Sequence, residues 1–256
     1  MNAFLLPHIQ ARISSSSSST STTDKKEKNQ FLRLTVNSIK DEESSSGGPI
    51  DHASFIANAS GQIKVFLFAG HDTTASTLCW VFHCLLRNPQ SLSKLRSELT
   101  AVLGPGPAAP ALRANPHLVN ALTYTTAVVK ETLRLQTNVG TMRQGGRGFD
   151  LVGPEGSEFA GARFPTEGCV LWDGNWAIHR DPALWARADE FVPERWLCAD
   201  EGDPLHPVRN AYRPFELGPR DCIGQHLAMV EMKLVLALVV REFDIMEDWE
   251  AWDEVR

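Results

Sequence analysis

The run Phe215-Glu-Leu-Gly218-Pro-Arg220-Asp-Cys222-Ile-Gly224 places one cysteine in a turn rich in Gly and Arg, directly ahead of a long apolar stretch with helical spacing. Gly218 permits a tight turn, and Gly224 lets the backbone approach a flat ligand closely before the helix begins. The positive end of that helix and the Arg220 guanidinium both favour negative charge on the Cys222 sulfur, which makes it an anionic ligand able to bind iron. On the residues alone, the competing reading is a buried or merely reactive cysteine in a surface loop.

Composition narrows the classes that this turn can belong to. The chain has 256 residues, 43% hydrophobic and 22% charged, with a formal net charge of -6, and resembles an ordinary globular chain. Its basic residues form no long cluster, so the broad positive field that nucleic-acid binding requires is missing. The five cysteines, Cys79, Cys84, Cys169, Cys198 and Cys222, are odd in number and irregularly spaced, and imply neither a disulfide framework nor a zinc site. The N-terminal apolar run is too short for a signal peptide or anchor, and no segment reaches the ~18–20 uninterrupted apolar residues of a membrane span. A soluble, cytosolic chain is the expectation from the sequence as it stands.

Along the chain, the Ser/Thr run from Ser14 to Thr23 and the charged residues after it offer little apolar surface to offset ordering entropy. Residues 1–50 are expected to be a disordered polar region interrupted by a short amphipathic piece, Phe31–Ile39, and residues 51–256 to form the ordered domain. Helical pattern runs from Asp51 to Arg87, weakest at Gly61 and Gly70. Asn88-Pro89 then closes one helix and opens another through Leu103. Gly104–Pro110 reads as a loop, and helix resumes over Leu118–Leu135. Small β-hairpins are expected near Phe149–Val152 and Cys169–Trp172, a short helix near Pro182–Arg187, and a long helix from Gly224 to about Phe243. The fold class is mainly α with small β elements.

Two further constellations stand out. Phe68-Ala69-Gly70-His71-Asp72-Thr73-Thr74 sets an acid beside hydroxyls inside an apolar helix, which is costly unless both are satisfied. Ala69 and Gly70 leave room for a flat ligand, and a hydroxyl that takes an intrahelical carbonyl can open the helix into a groove. A helix bend with Thr74 bonded back to the main chain explains the same residues. Lys130-Glu131-Thr-Leu-Arg134 puts Glu131 and Arg134 three apart on one helix face, a spacing that by itself is usually surface decoration. Downstream lies Phe191-Val-Pro193-Glu194-Arg195-Trp196.

In order and spacing these motifs resemble the cytochrome P-450 haem-thiolate monooxygenases. The cysteine turn matches that family's F-x-x-G-x-R-x-C-x-G loop, Ala69–Thr74 its A-G-x-D-T-T segment, Glu131 and Arg134 its E-x-x-R, and Arg195 the arginine of its P-E-R-F-like segment, with Trp196 where Phe is commoner. The resemblance covers about Asp51 to Asp244. It implies that Cys222 ligates haem iron and that Phe215, Gly218, Arg220 and Gly224 shape the proximal loop. It further implies that Ala69 and Gly70 face the haem, that Asp72 and Thr73 deliver protons to dioxygen, and that Glu131, Arg134 and Arg195 form a buried structural network. Arg143 and Arg220 become candidates for haem propionates. His179 is open between a propionate contact and a solvated turn. Arg209, Arg213, Lys233 and Arg241 can form a basic face for an acidic redox partner or a merely solvated surface.

The same resemblance implies haem b, electrons from NADPH through a flavoprotein reductase, and insertion of one oxygen atom of O2 into a hydrophobic substrate. A secondary metabolite, a sterol or a fatty acid would each fit. Members of the family usually run to about twice this length, so the chain is expected to hold the C-terminal half of the fold, from the distal helix through the cysteine-loop helix, as an incomplete domain. Relatives with an N-terminal anchor sit on the endoplasmic reticulum membrane. The alternative is a truncated, non-catalytic remnant or interaction protein unable to hold haem.

Overall fold

The computed structural model describes residues 52–248. The disorder expected for residues 1–50 and the piece Phe31–Ile39 lie outside the described residues. Helix dominates what is described. The first described helix, α1, spans His52–Arg87, and the chain divides within it into two units, residues 1–72 and 73–256. In the described part of the first unit, Ala59, Ser60 and Ile63 are buried while Val65, Leu67 and Phe68 are exposed.

The second unit begins with the rest of α1. Its buried positions Thr74, Thr77, Val81 and Leu85 recur every three or four residues, the spacing of a single helix face. Asn88 ends the helix, donating from Nδ2 to Cys84 O at 2.8 Å. Pro89 then occupies the first turn of α2, Pro89–Leu103, where its missing N–H costs nothing. Leu95, Leu99 and Leu103 form the inner stripe of α2.

Beyond Gly104 the sequence reading is corrected: a short helix, α3, already forms at Ala108–Ala114 within the expected loop. The helix expected over Leu118–Leu135 is likewise two pieces. A 3-10 turn, Pro116–Ala121, yields at Leu122 to α4, Thr123–Leu135. The break has a partner across the fold. Glu98 of α2 accepts from Tyr124 N at 2.6 Å, Thr125 N at 2.8 Å, Thr125 Oγ1 at 2.8 Å and Thr123 Oγ1 at 3.1 Å. A carboxylate from another helix thus satisfies the orphan donors at the start of α4, where an N-cap side chain would ordinarily stand.

From Tyr124 onward α4 is buried nearly all round. It touches α2, the last described helix α6 (Gln225–Val239) and the 3-10 turn Pro193–Leu197. Leu85, Leu95, Leu99, Val128, Leu133, Met232, Leu236 and Val240 form one continuous core. α6 is four residues shorter at its C-terminal end than its apolar pattern suggests. Lys233 leaves the expected basic face altogether: it is buried, and its Nζ donates to Val119 O at 3.1 Å. Arg241 is also engaged, donating to Gly104 O.

Between α4 and α6 lie four short antiparallel strands. β1 (Met142–Gln144) pairs with β4 (Val170–Trp172), and β2 (Asp150–Val152) with β3 (Arg163–Pro165), so the outer pair encloses the inner in sequence. The segments expected as hairpins, Phe149–Val152 and Cys169–Trp172, hold one strand each, β2 and β4; β2 pairs with β3 later in the chain and β4 with β1 before it. Gly145 and Gly153 sit where backbones cross, and a Cβ at either would fall inside the Thr166 or Phe159 carbonyl. The helix expected at Pro182–Arg187 is a series of turns; the single helical turn α5 lies earlier, at Asn175–Ile178.

Because Glu98 serves four donors at once, Glu98→Ala should lower stability by about 1–3 kcal/mol, read as a fall in the urea midpoint at unchanged slope. Glu98→Gln, which keeps one acceptor oxygen, should fall between the two.

Candidate functional site

Cys222 lies at the end of a turn whose geometry its neighbours dictate. Glu216 and Gly218 both have left-handed backbones, φ +63° and +87°. Gly218 adopts that conformation without a Cβ clash, whereas Glu216 does so at a cost. The Cys222 N–H donates to Phe215 O at 2.8 Å and closes the turn. Gln225 N then donates to Cys222 O at 3.2 Å as α6 begins. Phe215 packs against the main core and anchors one end of the turn. Arg220 and the Cys222 side chain are exposed, and the thiol is free.

Exposed side chains of the turn and of the start of α6 are of mixed character: Arg220, Asp221 and His226 are polar, and others are apolar. Ile223 is 98% exposed, Leu227 57% and Leu217 45%. At Gly224 the only atom near an added Cβ would be Cys222 Sγ, 3.8 Å away. A side chain there would stand beside anything the sulfur binds.

A buried polar cluster is linked to this turn through hydrogen bonds of His179 and Arg213. The Glu131 carboxylate is fully buried and accepts from Arg134 Nε at 3.1 Å and Nη2 at 2.8 Å, Arg195 Nε at 3.0 Å, Val192 N at 3.0 Å and Trp196 Nε1 at 2.9 Å. The Glu131–Arg134 contact is the bidentate form that the planar guanidinium fork allows. Arg134 then donates to three carbonyls, His179 O at 2.7 Å, Ala188 O at 2.6 Å and Glu190 O at 2.9 Å. The Trp185 ring covers both cations, 5.2 Å from Arg134 and 5.7 Å from Arg195. Desolvation pushes the Arg195 pKa down and the Glu131 charge pulls it back up. Trp196, a departure from Phe in the sequence comparison, has a use here: an indole N–H supplies a donor to Glu131 that Phe lacks.

His179 is neither solvated nor free for a propionate. It is 0% exposed, stacked on Tyr212 and edge-on to Trp185. Its Nε2 accepts from Arg213 N at 3.0 Å, so the proton of the neutral ring sits on Nδ1, which lies 2.7 Å from Thr137 Oγ1. Burial, then the charges of Arg134 and Arg213, push its pKa down to about 4.

The helix motif is laid out more simply. Ala69, Gly70 and Asp72 are exposed at the end of the first unit, and a Cβ at Gly70 would meet nothing within 4 Å. In the second unit Thr73 is half-buried, and its carbonyl accepts from Thr77 Oγ1 at 2.8 Å. Thr77 thus supplies a hydroxyl that takes an intrahelical carbonyl, and α1 stays α-helical through the motif rather than opening into a groove. Arg143 is exposed on β1, its Nη1 donating to Met142 O at 2.9 Å. The structure thus joins Glu131, Arg134 and Arg195 directly and Phe215 to Cys222, while Arg143 and Arg220 stand at the surface.

Two predictions follow from this burial. Glu131→Gln strands two desolvated guanidinium groups and should cost about 3–5 kcal/mol in urea unfolding, whereas Lys94→Ala, which breaks the exposed 2.6 Å pair with Glu194, should cost under about 1 kcal/mol. For His179, the unfolded chain takes up a proton below the ordinary pKa of 6.5 that the folded chain refuses until about 4. Stability present at neutral pH is therefore lost as pH falls through that window, by about 3 kcal/mol in full. His179→Asn should be less stable at pH 7 and lose less on acidification.

Comparison with known proteins bears on the family. The cytochrome P-450 family model matches residues 2–251. Cytochrome P-450 monooxygenase polC of Polytolypa hystricis is 40% identical over 96% of this chain and 42% of its own length. Cytochrome P-450 monooxygenase acrF of Aspergillus aculeatus is 36% identical over 84% of this chain and 46% of its own length. Human cytochrome P-450 4X1 is 34% identical over 88% of this chain and 40% of its own length. The chain spans less than half the length of these relatives. With the family model matched over nearly its whole length and the motifs set in this geometry, the chain belongs to the cytochrome P-450 family.

Proposed function

We propose that this chain provides the haem-thiolate site of a monooxygenase that inserts one oxygen atom of O2 into a hydrophobic organic molecule. The observation that carries the reading is the free, exposed Cys222 thiol on a turn closed by its own N–H, with Gly224 beside the sulfur. The residues present fit haem b: a soft sulfur donor at the start of a helix, apolar side chains at Leu217, Ile223 and Leu227, and no side chain at 224 to crowd a flat ring. When bound, such a group supplies oxygen chemistry favoured by thiolate donation.

The protein's part is to hold and orient. Cys222 supplies the sulfur, Phe215 and Gly218 fix its turn, and Glu131, Arg134 and Arg195 hold the segment behind it rigid. The exposed guanidinium groups of Arg143 and Arg220 are the proposed partners of the propionates, for which planar charged donors are suited. Asp72 and Thr73 are the proposed proton-handling pair, the carboxyl as general acid-base and the hydroxyl as relay. Asp72 is exposed to solvent from which it can be reprotonated.

Electrons are proposed to come from NADPH through a flavoprotein reductase. Exposed Arg209 and half-buried Arg213 offer positive charge for an acidic partner, without the buried Lys233. The names of polC and acrF describe those proteins as monooxygenases. The proposed substrate class, a hydrophobic secondary metabolite, rests on the family alone. Among the described residues no helix is long and apolar enough to cross a membrane.

The test is spectroscopic. Purified chain loaded with haem, reduced and exposed to carbon monoxide should give a strongly red-shifted, thiolate-type Soret band that Cys222→Ala abolishes without changing helix content. The band of a histidine-ligated or loose haem in the unsubstituted chain contradicts the proposal.

A further inference from the structure

Two carboxyl groups tie the cysteine turn to the β1–β4 sheet, and they meet at one amide. Asn175, in the first turn of α5, is 2% exposed. Its Nδ2 donates to Asp173 Oδ2 at 2.6 Å and to Glu216 Oε1 at 2.9 Å, so the two carboxyl groups lie within a few ångströms of each other. Thr141, just ahead of β1, bridges the same pair. Its N–H donates to Asp173 Oδ1 at 2.6 Å and its hydroxyl to Glu216 Oε1 at 2.8 Å. Glu216 adopts a left-handed backbone, which a residue with a Cβ holds only when its surroundings over-determine it. Its neighbour Phe215 provides the carbonyl that takes the Cys222 N–H.

Two ionised carboxylates so placed repel each other, and the usual resolution is for one to keep a proton. Arg213 is the cation acting on both; Thr141 and Asn175, the other groups facing the pair, are neutral. The directions agree with one shared proton. Burial, then the hydrogen bond with Glu216, pushes the Asp173 carboxyl up, and the hydrogen bond from Asp173 is the first cause holding Glu216 down.

We propose that Asp173 and Glu216 are positioning residues for Cys222: an acid–carboxylate pair that shares one proton, clamps the turn at Glu216 to the β1–β4 sheet, and loosens the cysteine turn when that proton leaves. The clamp's use rests on the reading of Cys222 as a haem ligand, while its geometry is testable without haem. With Asp173 raised, the clamp is complete while the shared proton is held and weakens as pH rises through the Asp173 value, above the ordinary carboxylate pKa of about 4.

The test is amide hydrogen exchange at Cys222 in the haem-free full chain from about pH 5 to about pH 9, corrected for intrinsic exchange. Protection in the unsubstituted chain should fall on the order of tenfold as the proton is lost, the response to about one pK unit of coupling. Glu216→Gln supplies a permanent N–H donor to Asp173, so it should keep protection across the range; Glu216→Ala should lack it throughout. A flat profile in the unsubstituted chain, or a Gln variant that follows the Ala variant, overturns the clamp. After haem loading, the red-shifted carbon monoxide band should fade at high pH in the unsubstituted chain and persist in Glu216→Gln. A pH-dependent exchange profile in a chain that gives no such band supports the clamp and counts against the haem reading alone.

Discussion

The Glu131 carboxylate is the point on which the arrangement turns. It sits within a helix buried nearly all round, where an unpaired charge would be prohibitive, and is matched by five donors from two segments, α4 itself and residues 192–196. A pair of this kind adds little net stability, because desolvation of three charges offsets most of the attraction. What it adds is uniqueness. Any shift of the 192–196 segment or of α4 would strand a charge, so the two are held in one register.

From that carboxylate a path of hydrogen bonds leads to the cysteine. Arg134 grips the His179 carbonyl, and the His179 ring accepts from Arg213 N. Arg213 O accepts from Glu216 N at 3.1 Å, and Phe215 O, next to Glu216, accepts from Cys222 N. The neutral His179 ring is essential to this path, since a protonated one would offer Arg213 N no acceptor. The positions of the sulfur and of the buried network are thereby linked through groups that each have one acceptable arrangement. The apolar surface at Leu217, Ile223 and Leu227 is left open beside the sulfur, where a flat hydrophobic ligand would cover it.

Much of this was legible from local chemistry. The helix junction at Asn88-Pro89 and the α6 start each follow from a residue whose backbone preference is strong, and β2 and β4 from short apolar pairs between glycines, whereas β1 and β3 were not anticipated. The Glu131, Arg134 and Arg195 cluster was reachable only through resemblance, because spacing alone describes a surface pair. What escaped has a common cause: the determinant lay elsewhere in the chain. The break at Leu122 exists because Glu98 caps α4 from another helix, and Lys233 turns inward because Val119 presents a carbonyl to it. His179 was undecided for the same reason, its partners being Thr137, Arg213 and Tyr212. The indole N–H of Trp196 and the convergence of Asp173 with Glu216 were signals present in the sequence, but only the fold brings them to their partners.

The central claim is that this path delivers the Cys222 sulfur to iron. X-ray absorption at the iron edge of the haem-loaded chain reads the first coordination shell directly. The account predicts one sulfur scatterer at thiolate distance, absent in Cys222→Ser. A shell of nitrogen and oxygen alone in the unsubstituted chain would contradict it.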